Sequence, residues 1–230
     1  MRVASSGTRA YPYEITNPAD CYPVTIQAFK DSLRKPNSKE DEFLSLIIAA
    51  ATAYAENVTG LALISRTVET TRDFIPLGES EGYYLDGCMP FSAGDVGFNV
   101  GYELRRTPVQ SVTSIKYLEA NTIDSYVTIN PDNYYLAKSQ AGNFSSVLSR
   151  TSEAWIDVQL IKPVLNAIII TFIAGYGNNH QSVPADLRMA ILQHAMQIYF
   201  NRGDCSDCGC ADSLPPNARS TYANYKVRNL

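Results

Sequence analysis

The chain has 230 residues, of which 45% are hydrophobic and 18% charged, and it carries a formal net charge of −4. Intrinsic disorder is excluded, because this composition supplies enough apolar side chains for one large domain or two small ones. Tight nucleic-acid binding is disfavoured, because it needs a concentrated basic face and the densest basic cluster here is the pair Arg105 and Arg106. The longest apolar stretches, 44–55 and 167–174, are shorter than the ~20 residues that span a membrane, and no export signal is visible at 1–10. We therefore expect a protein that is made in a cytoplasm and has no membrane partner.

The first quarter of the chain predicts an N-terminal arm followed by two helices. Residues 1–22 contain Pro12 and Pro18, are followed by Pro23 and show no helical period, so an irregular arm is expected. Apolar residues recur at helical spacing over 25–35, and Thr25 is placed to cap that helix. The clearest helical pattern covers 39–59, with acidic residues in its first turn and Gly60 at its C-terminal end.

The middle of the chain, from residue 61 to residue 174, changes from a helical to a strand-like pattern. A β-branched stretch at 63–74 begins it, and six further short strands are predicted in order at 112–117, 126–129, 134–137, 147–149, 155–160 and 167–174. Between them, residues 76–101 mix glycines with aromatic and acidic side chains, which favours a long surface loop or hairpin.

The last part of the chain predicts a third helix over 183–201 and then a tail over 204–230 that is extended or weakly helical. The predicted fold class is therefore α+β. It consists of a small helical bundle of about three to four helices, an inserted antiparallel β region and an extended C-terminal tail. The predicted division is an arm at 1–22, a main domain at 23–203 and a tail at 204–230. Within the main domain the helical parts are 23–64 and 183–203, and the β region is 65–175.

No motif for catalysis is found in the sequence, so an enzyme is not expected. Phosphate-binding loops, nucleophile elbows and zinc-protease signatures are missing, and the chain has only two histidines. His180 lies in a polar loop. His194 lies on the apolar face of the third helix, where it is either a buried general base or, as we favour, a core residue.

Three cysteines form the pattern that most resembles a metal site. Cys205, Cys208 and Cys210 are spaced as Cys-x-x-Cys-x-Cys, but tetrahedral zinc needs four ligands. Cys21 or a neighbouring subunit could supply the fourth. The alternative, which we favour, is a polar turn that carries thiols, so no metal and no cofactor is predicted.

Seven motifs in order resemble the head–tail connector (adaptor) family of tailed bacteriophages. They are Pro23-Val-Thr-Ile with Lys30 and Leu33; Asp41-x-Phe-Leu-x2-Ile-Ile with Thr59-Gly60 and Leu63-Ile64; Phe74-Ile-Pro76; Thr107-Pro108-Val109 with Val112, Ile115 and Tyr117; Phe172 with Ala174-Gly175-Tyr176-Gly177; Val183-Pro184 with Leu187, Ala190 and Ile191; and Tyr199 with Arg202. Leu214-Pro215 with Tyr225-Lys226 resembles the C-terminal end of that family. The segment 77–103, the cysteine cluster and the N-terminal arm depart from the family pattern.

The resemblance implies a structural subunit of the virion neck. Such adaptors form a ring, often of twelve subunits, that lies between the portal and a downstream neck or tail protein and extends the DNA channel. Their C-terminal tail tends to reach the portal, which makes Tyr222, Tyr225, Lys226 and Arg228 the candidate portal contacts. A stopper or tail-completion protein remains the alternative, followed by a metal-binding module built on the cysteine cluster.

Overall fold

The computed structural model describes residues 13–17, 19–34, 39–72, 102–122, 125–138, 145–149, 161–162, 164–201 and 214–227. Within these ranges no helix has both the length and the apolar character needed to cross a membrane. The predicted loop at 76–101 and the predicted strand at 155–160 lie outside the described residues.

Two helices form where the sequence predicts them. The first, α1, spans Ile26–Leu33, and the hydroxyl of Thr25 accepts a hydrogen bond from the backbone N–H of Ala28 at 3.1 Å, which confirms the predicted cap. The second, α2, spans Asp41–Thr59 and ends at Gly60. Gly60 has a φ of 76°, in the left-handed region that glycine enters without steric cost.

Two further helices complete a bundle. Helix α3 spans Ala185–Phe200, and α4 spans Pro216–Tyr225 within the segment that was predicted to be an extended or weakly helical tail. The sequence of α4 has little helical periodicity, but Ala218 and Tyr222, four residues apart, are buried against the other helices. Packing therefore supplies the stability that local propensity does not.

The strands in chain order are β1 Tyr13–Asn17, β2 Arg66–Arg72, β3 Tyr102–Glu103, β4 Val109–Leu118, β5 Tyr126–Thr128, β6 Tyr134–Lys138, β7 Ser145–Ser149 and β8 Ile168–Ala174. Five of them form an antiparallel sheet in the order β1-β2-β8-β4-β5, and the other three form a second sheet in the order β3-β7-β6. This arrangement confirms the predicted mixed α+β class.

The arm is not irregular over its whole length, because β1 extends the larger sheet at its edge. Ile15 pairs with Val68 of β2, yet every side chain of β1 is exposed. The pairing therefore depends on backbone hydrogen bonds with residues 50 to 57 positions away, and not on burial of the β1 side chains. The alternation Tyr13-Glu14-Ile15-Thr16 between Pro12 and Pro18 is too short to predict this strand on its own.

The segment 61–64, which follows α2, has one hydrophobic core on each side. The helices and Leu61, Leu63 and Ile64 form the first core, while Ala62 belongs to the second core between the sheets. The central strand β8 buries alternate residues, from Ile168 to Ala174, in that second core. Leu61–Ile64 thus couples the helical part of the chain to its β part.

Candidate assembly surfaces

The C-terminal helix is held against the bundle by Tyr222. Its side chain is 1% exposed, and its ring centroid lies 6.3 Å from those of both Tyr54 on α2 and His194 on α3. Its hydroxyl is buried without a hydrogen-bond partner among the described residues, and burial raises the pKa of Tyr222. Tyr222 therefore anchors α4 through its apolar ring.

A second contact fixes the end of α4. The hydroxyl of Tyr225 donates a hydrogen bond to Oδ1 of Asp186 at 3.0 Å, and the backbone N–H of Val227 donates to the carbonyl of Thr59 at 2.9 Å. Burial, with a smaller contribution from Asp186, raises the pKa of Tyr225 to about 12. The tail is thus tied to the start of α3 and the end of α2.

The candidate portal residues differ in their exposure to solvent. Tyr222 is inside the helical core, so in this arrangement a partner protein has no access to it. Tyr225 is half-buried, and Lys226 is exposed to solvent. Arg228 lies outside the described residues.

His194 lies beside the same aromatic cluster. Its ring packs edge-on against Tyr54 with centroids 4.9 Å apart, and burial lowers the pKa of its imidazole. Its Nδ1 is buried and has no hydrogen-bond partner among the described residues, so no bond at that nitrogen fixes the tautomer that a general base requires. The geometry favours the core interpretation. His180 is half-buried in the short helical turn His180–Ser182.

An ion pair lies at the junction between helices and sheets. Glu56 of α2 and Arg66 of β2 are joined through Oε1 and Nη2, and their side chains are only 11% and 13% exposed. The same carboxylate oxygen accepts a hydrogen bond from the backbone N–H of Leu63 at 3.0 Å. One buried acidic group therefore fixes both the connecting segment and the first strand after it.

Arg106 strengthens this junction. Its Nη1 donates to the carbonyls of Glu56 at 2.9 Å and Leu61 at 3.3 Å, and its Nη2 donates to Oδ1 of Asn57 and to the hydroxyl of Tyr13. The guanidinium carbon also lies 4.5 Å from the Tyr13 ring centroid. Arg106 is therefore a structural clamp rather than a free phosphate ligand. No local pattern in the sequence indicates this role, because the bonding partners of Arg106 are 45 to 93 residues away.

A groove of about 700 Å³ opens along the outer face of α2. It is lined by Tyr22, Lys39, Glu40, Glu42, Phe43, Ser45, Leu46 and Ala49. Tyr22, Phe43, Leu46 and Ala49 supply its apolar lining, and the charged groups come from the N-terminal end of the helix. Such a surface suits contact with another protein more than binding of a small polar ligand.

The cysteine cluster at Cys205, Cys208 and Cys210 lies outside the described residues. Within those ranges no group of three or more metal-binding side chains is found. Cys21 is a free thiol whose Sγ donates to the carbonyl of Asn178 at 3.6 Å.

The fold matches chains from gene transfer agent (GTA) particles along nearly its full length. A chain of the native GTA virion has a TM-score of 0.67 and 19% identity, and covers 95% of this chain and 96% of its own length. A chain in the neck of the empty particle, at C6 symmetry, has a TM-score of 0.68, 20% identity and coverages of 95% and 97%. A chain in the native neck, at C12 symmetry, has a TM-score of 0.61, 19% identity and the same coverages. No protein-family model matches the sequence, and no curated protein matches it significantly.

The chain therefore has the fold of chains in GTA neck structures. The similarity includes the helical bundle, the β region and the C-terminal helix, because it covers 95% of the sequence. At 19–20% identity the similarity establishes the fold alone.

Proposed function

We propose that this chain is a structural subunit of the neck of a phage-like particle and has no enzymatic activity. In this proposal it forms an adaptor ring between the portal and a downstream neck or tail protein, and the ring extends the DNA channel. Its location is the head–tail interface of the virion, after synthesis in the host cytoplasm. The ring contains twelve copies, in keeping with the adaptor resemblance and with the C12 neck structure that shares this fold.

The observation that carries the proposal is the agreement over whole chains. A single shared motif or subdomain could occur in unrelated proteins, because one fold supports many functions. Here 95% of this chain matches 96–97% of the length of each of three chains from GTA particles, and two of those chains are in neck structures. The seven ordered motifs of the adaptor family support the same assignment independently.

The charge of the chain is consistent with a channel wall along which DNA passes without being held. The net charge is −4, and the most basic pair in the sequence contributes Arg106 to an internal clamp. Strong DNA retention would require many free cationic side chains, because each neutralised phosphate adds to the affinity. DNA is therefore a passing partner in this proposal.

Portal binding is assigned to the end of the C-terminal tail. Lys226 is exposed just after α4, next to the half-buried Tyr225, and Arg228 follows in sequence. Tyr222 contributes indirectly, by holding α4 in place. The β region supplies contacts to the adjacent subunit or to the tail side.

The proposal is tested by electron microscopy of the purified chain mixed with portal rings from the same particle. The expected result is an additional ring on the portal. A chain that remains off the portal at every concentration and salt condition would overturn the adaptor assignment, and binding only to a preassembled portal–adaptor complex would identify a stopper instead.

The tail assignment has its own test in the double variant Lys226→Glu/Arg228→Glu. Reversing both charges should weaken portal binding while leaving the fold intact, because Lys226 is exposed and makes no contribution to the core. Arg219→Glu, on an exposed position of α4, is the matched control. Equal portal affinity of the double variant and wild type would refute the assignment of these residues.

The metal-binding alternative is tested separately. The variant Cys205→Ser/Cys208→Ser should assemble as wild type does if the protein is a neck subunit. Loss of bound zinc together with loss of assembly would instead support a module built on the cysteine cluster.

A further inference from the structure

The central part of α2 is uncharged on every side. From residue 43 to residue 55 the sequence is FLSLIIAAATAYA, in which only the hydroxyls of Ser45, Thr52 and Tyr54 are polar side-chain groups. One face of this segment is buried in the helical core, but the opposite face is open, with Leu46 66% and Phe43 37% exposed. A helix that is hydrophobic all round is normally buried all round in its working state.

The open face of α2 forms a patch with a recognisable centre and rim. We define the α2 patch as Tyr22, Phe43, Leu46 and Ala49, which line the apolar part of the groove described above. Charged Lys39, Glu40 and Glu42 lie at one end of that groove. An apolar centre with polar residues at its edge is the usual anatomy of a protein–protein contact.

The patch continues toward the end of α3. The hydroxyl of Tyr199 donates to Oε2 of Glu40 at 2.8 Å, which places the last turn of α3 beside the first turn of α2. Phe200 packs edge-on against Tyr199 with centroids 5.6 Å apart and is itself largely exposed. The apolar surface at this end of the bundle is therefore larger than the groove alone.

We infer that the α2 patch is the surface to which a second copy of this chain binds. The inference rests on the proposed ring, because a head-to-tail ring needs two different complementary patches on each subunit. Charge favours a copy as the occupant: each chain carries a net charge of −4, so identical chains can approach closely where the contacting surface is uncharged. Alanines at 49, 50 and 53 lie along the outward side of the helix, where their small size permits close packing of a neighbouring element.

The first test is self-association of the full chain with Leu46→Glu. The wild-type side chain is mostly exposed, so the glutamate is tolerated in the monomer but places a charge in the centre of the contact. The concentration needed for half-maximal self-association, measured by mass photometry or analytical ultracentrifugation, should rise at least about tenfold. Met189→Glu is the matched control, because Met189 is also apolar and 54% exposed but lies in the first turns of α3, at the other end of the helix pair. Self-association of Leu46→Glu at the wild-type concentration would overturn the inference.

The second test identifies the occupant directly. A photo-crosslinking amino acid is introduced at position 46, and unlabelled chains are mixed with ¹⁵N-labelled chains, alone and with portal rings. Mixed-isotope adducts between two copies support the inference, whereas adducts within one chain, adducts with the portal or no adducts contradict it. Copies that crosslink through position 46 but never bind the portal would refute the adaptor function and leave the α2 patch assignment standing.

Discussion

Replacing Tyr222 by alanine should release the C-terminal helix from the bundle. The side chain is fully buried between α2 and α3, and truncation of a buried aromatic residue to alanine costs about 3–5 kcal/mol. If α4 undocks before the rest of the chain unfolds, the measured loss is limited to the docking free energy of α4. In that case hydrogen exchange should accelerate in residues 214–227 while α2 and the core of α3 stay protected.

Replacing the same residue by phenylalanine separates the ring from its hydroxyl. The hydroxyl is buried without a partner among the described residues, and burying such a group costs about 1–3 kcal/mol. Tyr222→Phe should therefore leave the free energy of unfolding unchanged or raise it by up to about 1 kcal/mol. The contrasting variant Tyr225→Phe loses the hydrogen bond to Asp186 and should cost about 0.5–1.5 kcal/mol.

Both predictions are checked by urea unfolding followed by far-UV circular dichroism, together with hydrogen exchange. Docking of α4 through Tyr222 is contradicted if Tyr222→Ala neither lowers the free energy of unfolding nor accelerates exchange in residues 214–227. A loss of more than about 1 kcal/mol in Tyr222→Phe would show that the hydroxyl has a favourable partner, contrary to the structure.

Three further predictions address the junction, the turn after β8 and the buried histidine. Glu56→Ala should destabilise the chain by about 3–5 kcal/mol in urea unfolding, because it leaves Arg66 buried without its counter-ion. The control Glu42→Ala, at an exposed position, should cost under about 1 kcal/mol. Similar losses in the two variants would contradict the structural role of the Glu56–Arg66 ion pair. Gly175→Ala should cost at least about 2 kcal/mol, because the residue has a φ of 133° and a Cβ there would lie 2.5 Å from a backbone nitrogen; a neutral effect on the thermal midpoint would be inconsistent with this backbone. Burial holds the pKa of His194 below its ordinary value of about 6.5, so the stability it contributes is present above that pH and is lost as the pH falls toward the folded-state pKa. His194→Gln should flatten the fall in stability between about pH 7 and pH 5, and an unchanged pH profile would count against the buried position of the ring.

Local patterns in the sequence predicted the elements that are amphipathic or capped. Thr25 and Gly60 mark real helix ends, and the continuous apolar run at 167–174 forms strand β8, as its length and composition predicted. These features depend on neighbours within a few positions, so a single sequence contains the necessary information.

Strand β1 and helix α4 were not predicted in their observed form, for a common reason. Each is stabilised by a partner far away in sequence: β1 by β2 across 50 to 57 residues, and α4 through contacts of Tyr222 with Tyr54 and His194. The candidate portal contacts show the same limit, because an aromatic residue in a weakly periodic tail gives no indication of whether it faces a partner or its own core. The division into arm, main domain and tail stays a prediction.

By itself, the sequence determined the mixed α+β class and the positions of the first three helices. Tertiary structure decided that Arg106 clamps the junction, that Tyr222 is buried and that one face of α2 remains open. The physical reason is that helix and strand formation follow from local periodicity and capping. Burial of a particular side chain depends on which distant elements come to lie against it.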